Sequence, residues 1–238
     1  MTRSKKYLHV IPPWYVFYEA NLRQPKVPLG AAYCARAAMS AGWHSTIWNG
    51  DLLPEGGENQ YSEEMSSYNS YLTNHSRPDN PIWQEYRAIL NEVKPDVIGI
   101  TALTASYPTS LTCARIAKEE LPHCVTILGG PHPNAVPTQV VQDSPSVDAA
   151  VTGEGELTLI EILDRVASTQ PGTTPNLGGI PGTVTRQTIA PPRVFVPELD
   201  ELGWPTKGRC ADPHGLLKRD NFGLVMFSRG CPYYCEFC

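Results

Sequence analysis

Short runs of apolar, β-branched residues alternate, over the first two thirds of the chain, with longer stretches whose apolar positions recur at helical spacing. This is the pattern of βαβ units built on a parallel sheet. Strands are expected at residues 7–11, 45–49, 96–101, 125–128 and 148–151. Residues 29–41 are almost entirely small and apolar, begin beside Pro28 and stop at Gly42, which suits a helix packed closely on a sheet. Ile82, Tyr86, Ile89, Leu90 and Val93 then form one apolar helical stripe. Further helices are expected over 109–121 and 137–142 and through Leu159, Ile160, Leu163, Val166 and Ala167. Five strands, each followed by a helix, make an α/β doubly wound parallel sheet. Its ligand is expected outside the carboxyl ends of the strands.

The remaining segments break this rhythm. Residues 50–81 are polar, with Tyr61, Tyr68 and Tyr71 among Ser, Glu and Asn, and read as an insertion too long for an ordinary connection, either functional or mobile. From Pro171 onward proline and glycine crowd a chain that holds 23 and 19 of them in 238 residues. The first domain is therefore expected to span 1–170. Residues 171–222 read as a linker with a small hairpin at 179–193, and 223–238 as one more strand, GLVMFS, leading into cysteines. The length fits one full domain plus a smaller element, with enough core to need no disulfides.

Charge removes some functions. The formal net charge is −5 and no five like charges run together, so neither nucleic acid nor an anionic membrane is expected as a partner. No run approaches 18 apolar residues, and the basic amino end is cut by Pro12 and Pro13 before it can form a signal peptide; a cytoplasmic protein is expected. In that compartment seven cysteines point to metal or redox chemistry, although Cys34, Cys113 and Cys124, each alone in an apolar segment, read as core. The first strand runs into Pro12-Pro13-Trp14-Tyr15 instead of GxGxxG, which disfavours a dinucleotide.

The candidate binding residues are those at the strand ends and helix starts. They are Pro28, Leu29 and Gly30; Thr101, Ala102, Leu103, Thr104 and Ser106; Gly129, Gly130, Pro131 and His132; and Gly153, Glu154, Gly155 and Glu156. Glycines let a bulky ligand approach the backbone, hydroxyls meet polar edges, and helix amides hold anionic groups. The same residues also fit tight strand-to-helix packing, with Glu154 and Glu156 as capping groups. Sharper is Cys231-Pro-Tyr-Tyr-Cys235-Glu-Phe-Cys238, three thiols within eight residues. Thiolates select zinc, Cu(I) or iron–sulfur clusters, and a zinc site would find a fourth ligand in Cys210 or His214.

At these residues the chain resembles the radical S-adenosylmethionine superfamily, whose CxxxCxxC carries an aromatic before the last cysteine, here Phe237. The resemblance implies that Cys231, Cys235 and Cys238 each hold one iron of a [4Fe–4S] cluster and that S-adenosylmethionine binds the fourth. VPLG at 27–30, LGGPHP at 128–133 and TGEGE at 152–156, in this order before the cysteines, extend the resemblance to B12-dependent members of that superfamily. It implies a flavodoxin-like cobalamin domain and the opening strand and cluster loop of a barrel that is incomplete here. It also implies methyl transfer, or another radical rearrangement, on a small-molecule or natural-product substrate, with the chain inactive alone and the barrel continued downstream or on a complementary chain. The histidine-donating DxHxxG of other cobalamin domains is not matched by Asp212-Pro213-His214-Gly215, so histidine ligation of cobalt is not expected. A non-catalytic cobalamin or nucleotide carrier with a zinc-binding tail, and a flavin domain, stand as alternatives.

Overall fold

The computed structural model describes residues 5–17, 28–52, 61–170, 172–196, 198–206, 209–211, 226, 228–230 and 233. Each apolar run forms a strand within two residues of the sequence expectation: β1 Lys6–Ile11, β2 His44–Asn49, β3 Val97–Thr101, β4 Val125–Gly129 and β5 Ala149–Val151. The β3 and β4 runs are buried on both faces, as parallel strands between two helical layers must be. These five lie parallel in the order β2-β1-β3-β4-β5, the flavodoxin-like arrangement, with its reversal of direction between β1 and β3.

The sheet is wider than the five strands the sequence suggested. Thr183–Val184, β6, pairs antiparallel with β5, and Arg209–Ala211, β7, pairs parallel with β2. Among the described residues the sheet thus has seven strands, the last two being edge pieces of two and three residues drawn from the stretch read as a linker. The expected hairpin at 179–193 is present as β6 and a bridge between Val184 and Ile189, built onto the sheet edge.

The helices are α1 Leu29–Ser40, α2 Tyr61–Asn74, α3 Pro81–Val93, α4 Tyr107–Glu120, α5 Pro131–Ala135, α6 Pro137–Asp143 and α7 Gly155–Ser168. Asn80 caps α3, its side chain accepting from the Ile82 amide at 3.1 Å, and Lys94 ends it in a left-handed conformation. The segment expected to be an insertion contains α2. Its Tyr71 is buried against Phe17, whose ring in turn meets Trp83, so this part of the polar stretch belongs to the core.

Strand alternation sorts the core into two layers. Leu8, Val10, Trp48, Ile98, Ile100 and Leu128 face α3 and α4 with Tyr86, Leu90 and Cys113, and Trp48 stacks on Tyr86 at 4.7 Å. Tyr7, Val97, Val125 and Ile127 face α1 and α7 with Ala37, Ala38, Ile162 and Leu163. The small residues of α1 that touch Ile47, namely Ala31, Ala32 and Ala35, allow the close approach expected of them. Cys113 and Cys124 are buried and Cys34 half-buried in these layers, as their apolar surroundings implied. Burial pushes the Cys34 and Cys124 thiols up to about 12 and Cys113 well above its ordinary value, so all three are poor nucleophiles.

Candidate functional site at the strand tips

Parallel strands deliver all their carboxyl ends to one edge of the sheet, and there the loops after β3, β4 and β5 meet. The Ala102 amide donates to the Gly129 carbonyl at 2.8 Å, and the His132 amide donates to the Ala102 carbonyl at 3.0 Å. This crossing needs Gly130. Its φ is +108°, and a Cβ there would lie 3.1 Å from the Ala102 oxygen. Asn134 ties in the third loop: its Oδ1 accepts from the Gly153 amide at 2.6 Å, and its Nδ2 donates to the Gly130 carbonyl at 3.2 Å.

Above this floor stand Leu103, 40% exposed, and Thr104, whose hydroxyl lies 3.2 Å from His132 Nδ1. The His132 ring leans on Tyr107, centroids 4.0 Å apart, and the Tyr107 hydroxyl donates to Asp143 at 2.9 Å. Burial and that bond raise the Tyr107 phenol above its ordinary range. His132 Nε2 is buried and has no hydrogen-bond partner among the described residues. A polar atom left in that state calls for a ligand or water to complete it.

At the β1–β3 reversal a second polar chain runs inward from the tips. The Thr101 hydroxyl is 2.9 Å from His9 Nε2, and His9 Nδ1 is 2.8 Å from the Tyr7 hydroxyl. A neutral imidazole satisfies both neighbours in either tautomer. Burial holds it neutral by lowering the His9 pKa to about 4. Gly99 makes room, since a methyl there would collide with the Tyr7 hydroxyl. The tips of β1 and β2 are closed differently: the buried Asp51 carboxylate accepts from the Trp14 amide at 2.7 Å and the Val16 amide at 3.4 Å.

The sequence-derived candidates therefore divide. Thr101, Leu103, Thr104, Gly129, Gly130, Pro131, His132 and Gly153 gather at the tips of adjacent strands. Ala102 and Ser106 are buried, Ser106 with its carbonyl accepting from Thr109 and Ser110 at the start of α4, so they shape the floor from beneath. Pro28, Leu29 and Gly30 open α1, and open space faces the position of a Cβ on Gly30. Glu154 and Glu156, at the start of α7 on either side of Gly155, are engaged by Arg229, with Glu156 Oε1 at 2.7 Å and Glu154 Oε1 at 3.5 Å. Cys231, Cys235, Cys238 and His214 lie outside the described residues, as does most of the expected strand at 223–228; Cys210 lies in β7. His9, Asn134 and Arg229 were not singled out from the sequence. Only Arg229 carried a signal there, in standing two residues before the first clustered cysteine.

Comparison with known proteins agrees with this geometry. Residues 16–163, which include the loops after β3, β4 and β5, match the B12 binding domain. An uncharacterized methyltransferase of Pyrococcus horikoshii is 35% identical over 156 residues, covering 63% of this chain and 32% of that protein. The anaerobic magnesium-protoporphyrin IX monomethyl ester cyclase of Rubrivivax gelatinosus is 30% identical, covering 65% and 28%. The cobalamin-dependent radical SAM methyltransferase TokK of Streptomyces tokunonensis is 28% identical, covering 61% and 22%. The matched stretch thus spans about a third or less of the length of these relatives. No helix among the described residues is long and apolar enough to cross a membrane.

Proposed function

The chain belongs to the B12 binding domain family, and on that premise we propose that it holds cobalamin across the tips of β3, β4 and β5 as part of a B12-dependent radical S-adenosylmethionine methyltransferase. The observation that carries this is the family match over the same residues that gather at those tips. The site fits a broad, flat ring. Its floor is glycine and alanine, open space lies before the Cβ position of Gly153, and beside Thr104 the buried His132 Nε2 has no hydrogen-bond partner among the described residues. When bound, the cobalamin supplies a carried methyl group.

The chain's own residues bind and orient. Gly129, Gly130 and Gly153 admit the ring to the backbone, Thr104 and His132 meet its polar edge, and Leu103 covers apolar surface. Thr101, held by His9, presents a fixed hydroxyl at the β1–β3 reversal, where doubly wound sheets bind their ligands. Cys231, Cys235 and Cys238 offer the soft three-thiolate set that holds a [4Fe–4S] cluster and leaves one iron for S-adenosylmethionine; such a cluster supplies low-potential electrons. The substrate proposed for this site is a small molecule or natural product. The cyclase among the relatives supports a second reading, in which the same cofactor pair serves ring closure instead of methyl transfer.

Incubation with hydroxocobalamin and FMN in parallel, followed by gel filtration, tests the first claim: cobalamin co-elutes at one per chain and FMN does not. Co-elution of FMN alone would overturn it. Anaerobic reconstitution tests the second, with about four irons and four sulfides per chain and broad absorption near 400 nm expected for the cubane. One zinc without sulfide would sink it in favour of a carrier with a structural tail.

A further inference from the structure

Glu154 and Glu156 grip a segment far away in sequence. The Arg229 guanidinium reaches Glu156 Oε1 with Nη2 at 2.7 Å and Glu154 Oε1 with Nη1 at 3.5 Å, and it lies over the Tyr33 ring at 4.4 Å. The three polar side chains are 17%, 15% and 8% exposed for Arg229, Glu154 and Glu156. The pair Arg77–Asp79, by contrast, is 58% and 68% exposed, and exposed pairs of that kind contribute little. A planar guanidinium spanning two carboxylates and stacked on an aromatic ring uses geometry that lysine cannot reproduce. The second carboxylate is offset by the amino end of α7, a helix of 14 residues. Glu154 also accepts from the Val196 amide at 3.0 Å, so the same loop holds the strap that follows β6.

What Arg229 carries gives the contact its meaning. Gly230 follows with φ +84°, a left-handed turn, and Cys231 comes next. We propose that Glu154, Glu156 and Tyr33 form a latch for Arg229, and that this latch fixes the start of the three-cysteine loop beside the β5 tip. Arg229 is a positioning residue, and the two glutamates belong to the latch and not to the set that touches cobalamin. The latch itself stands on the geometry above; that it sets a cluster against the corrin rests on the function proposed in the preceding section.

Trypsin reads the latch directly, because cleavage after Arg229 requires the guanidinium to leave its carboxylates. In the full chain, Glu154→Gln/Glu156→Gln should be cut at 229–230 about ten times faster or more, the open fraction rising as charge-assisted bonds are lost. Arg229→Lys keeps the charge and the cleavage site but loses the fork, and should also open several-fold. Cutting after Arg115, followed by Ile116 on α4 in the opposite helical layer, serves as the internal reference and stays constant in all variants. Equal rates at 229–230 in wild type and both variants, relative to Arg115, would overturn the latch. Iron and sulfide content after anaerobic reconstitution is read on the same samples. If cleavage responds and wild type takes up no iron, the latch stands and the cluster reading alone falls. If wild type takes up iron and cleavage does not respond, the latch alone falls.

Discussion

Protonation of His9 is the perturbation with the most defined outcome. The residue is 5% exposed between β1 and the α1–α7 layer, bonded on one side to the Tyr7 hydroxyl and on the other to Thr101. Burial lowers its pKa from 6.5 to about 4, so the folded chain binds this proton more weakly than the unfolded chain. The sign follows. Stability is fully present above the unfolded value of 6.5 and is lost as pH falls through the window between 6.5 and 4. Each unit is worth about 1.4 kcal/mol, so His9 alone removes about 2 kcal/mol between pH 7.5 and pH 5, and about 3.4 kcal/mol once pH is well below 4. The tyrosines, cysteines and arginines with resolved shifts are all raised and titrate above this window, while the lowered carboxylates Asp79, Glu119 and Glu120 lose their contribution at its acidic end equally in both proteins compared below. Urea unfolding of wild type and His9→Gln at pH 7.5 and pH 5 measures the effect, because the variant keeps a hydrogen-bonding side chain that takes up no proton. Unshifted contributions cancel in the difference. Identical pH dependence in the two proteins would refute the assignment of His9 as a buried neutral group.

Gly130→Ala forces a side chain to φ +108° against the Ala102 oxygen and should lower the unfolding free energy by about 1–3 kcal/mol, weakening hydroxocobalamin binding in parallel; urea unfolding and equilibrium dialysis read the two. Trp48→Ala empties a fully buried position, removing the stack on Tyr86 and the 2.8 Å bond from its indole to Glu85, and should cost about 3–5 kcal/mol in urea unfolding. Asp148→Asn weakens a half-buried carboxylate that accepts from Lys118 Nζ and the Thr126 amide, each at 2.7 Å. It should cost about 1–3 kcal/mol. Because Asp148 precedes β5, at the opposite end of the sheet from the tips, cobalamin affinity in equilibrium dialysis should not change.

The five parallel strands were legible because each is a short, doubly buried run flanked by turn residues, a signal that survives without tertiary context. The hairpin that holds β6 was legible as well, but its pairing with β5 was not, and β7 was not expected at all. β6 and β7 have two and three residues, too few for any period, and their pairing is decided by the exposed edges of β5 and β2. α2 was hidden by its polarity, although Tyr68 and Tyr71 stand three apart and, among the described side chains of the helix, Tyr71 inserts into the core. α5 was masked by Pro131 and Pro133, which punctuate a sequence even when they occupy the first turn of a helix. At the site, glycine and hydroxyl residues after each strand named the right edge of the sheet. The interior partners could not be read the same way. His9 lies in the middle of a strand, where alternation says only that it is buried, and its meaning comes from Tyr7 and Thr101. Glu154 and Glu156 look like ordinary helix-start acids until Arg229, more than 70 residues later, reaches them.

Hydrogen exchange of the chain with and without saturating hydroxocobalamin puts the corrin site to the most direct test. The account predicts slowed exchange in peptides covering residues 101–106, 129–134 and 152–156, with no change at 94–96, 121–125 and 144–148 on the far edge of the sheet. Protection confined to that far edge, or cobalamin bound one per chain with the three tip loops unaffected, would contradict it.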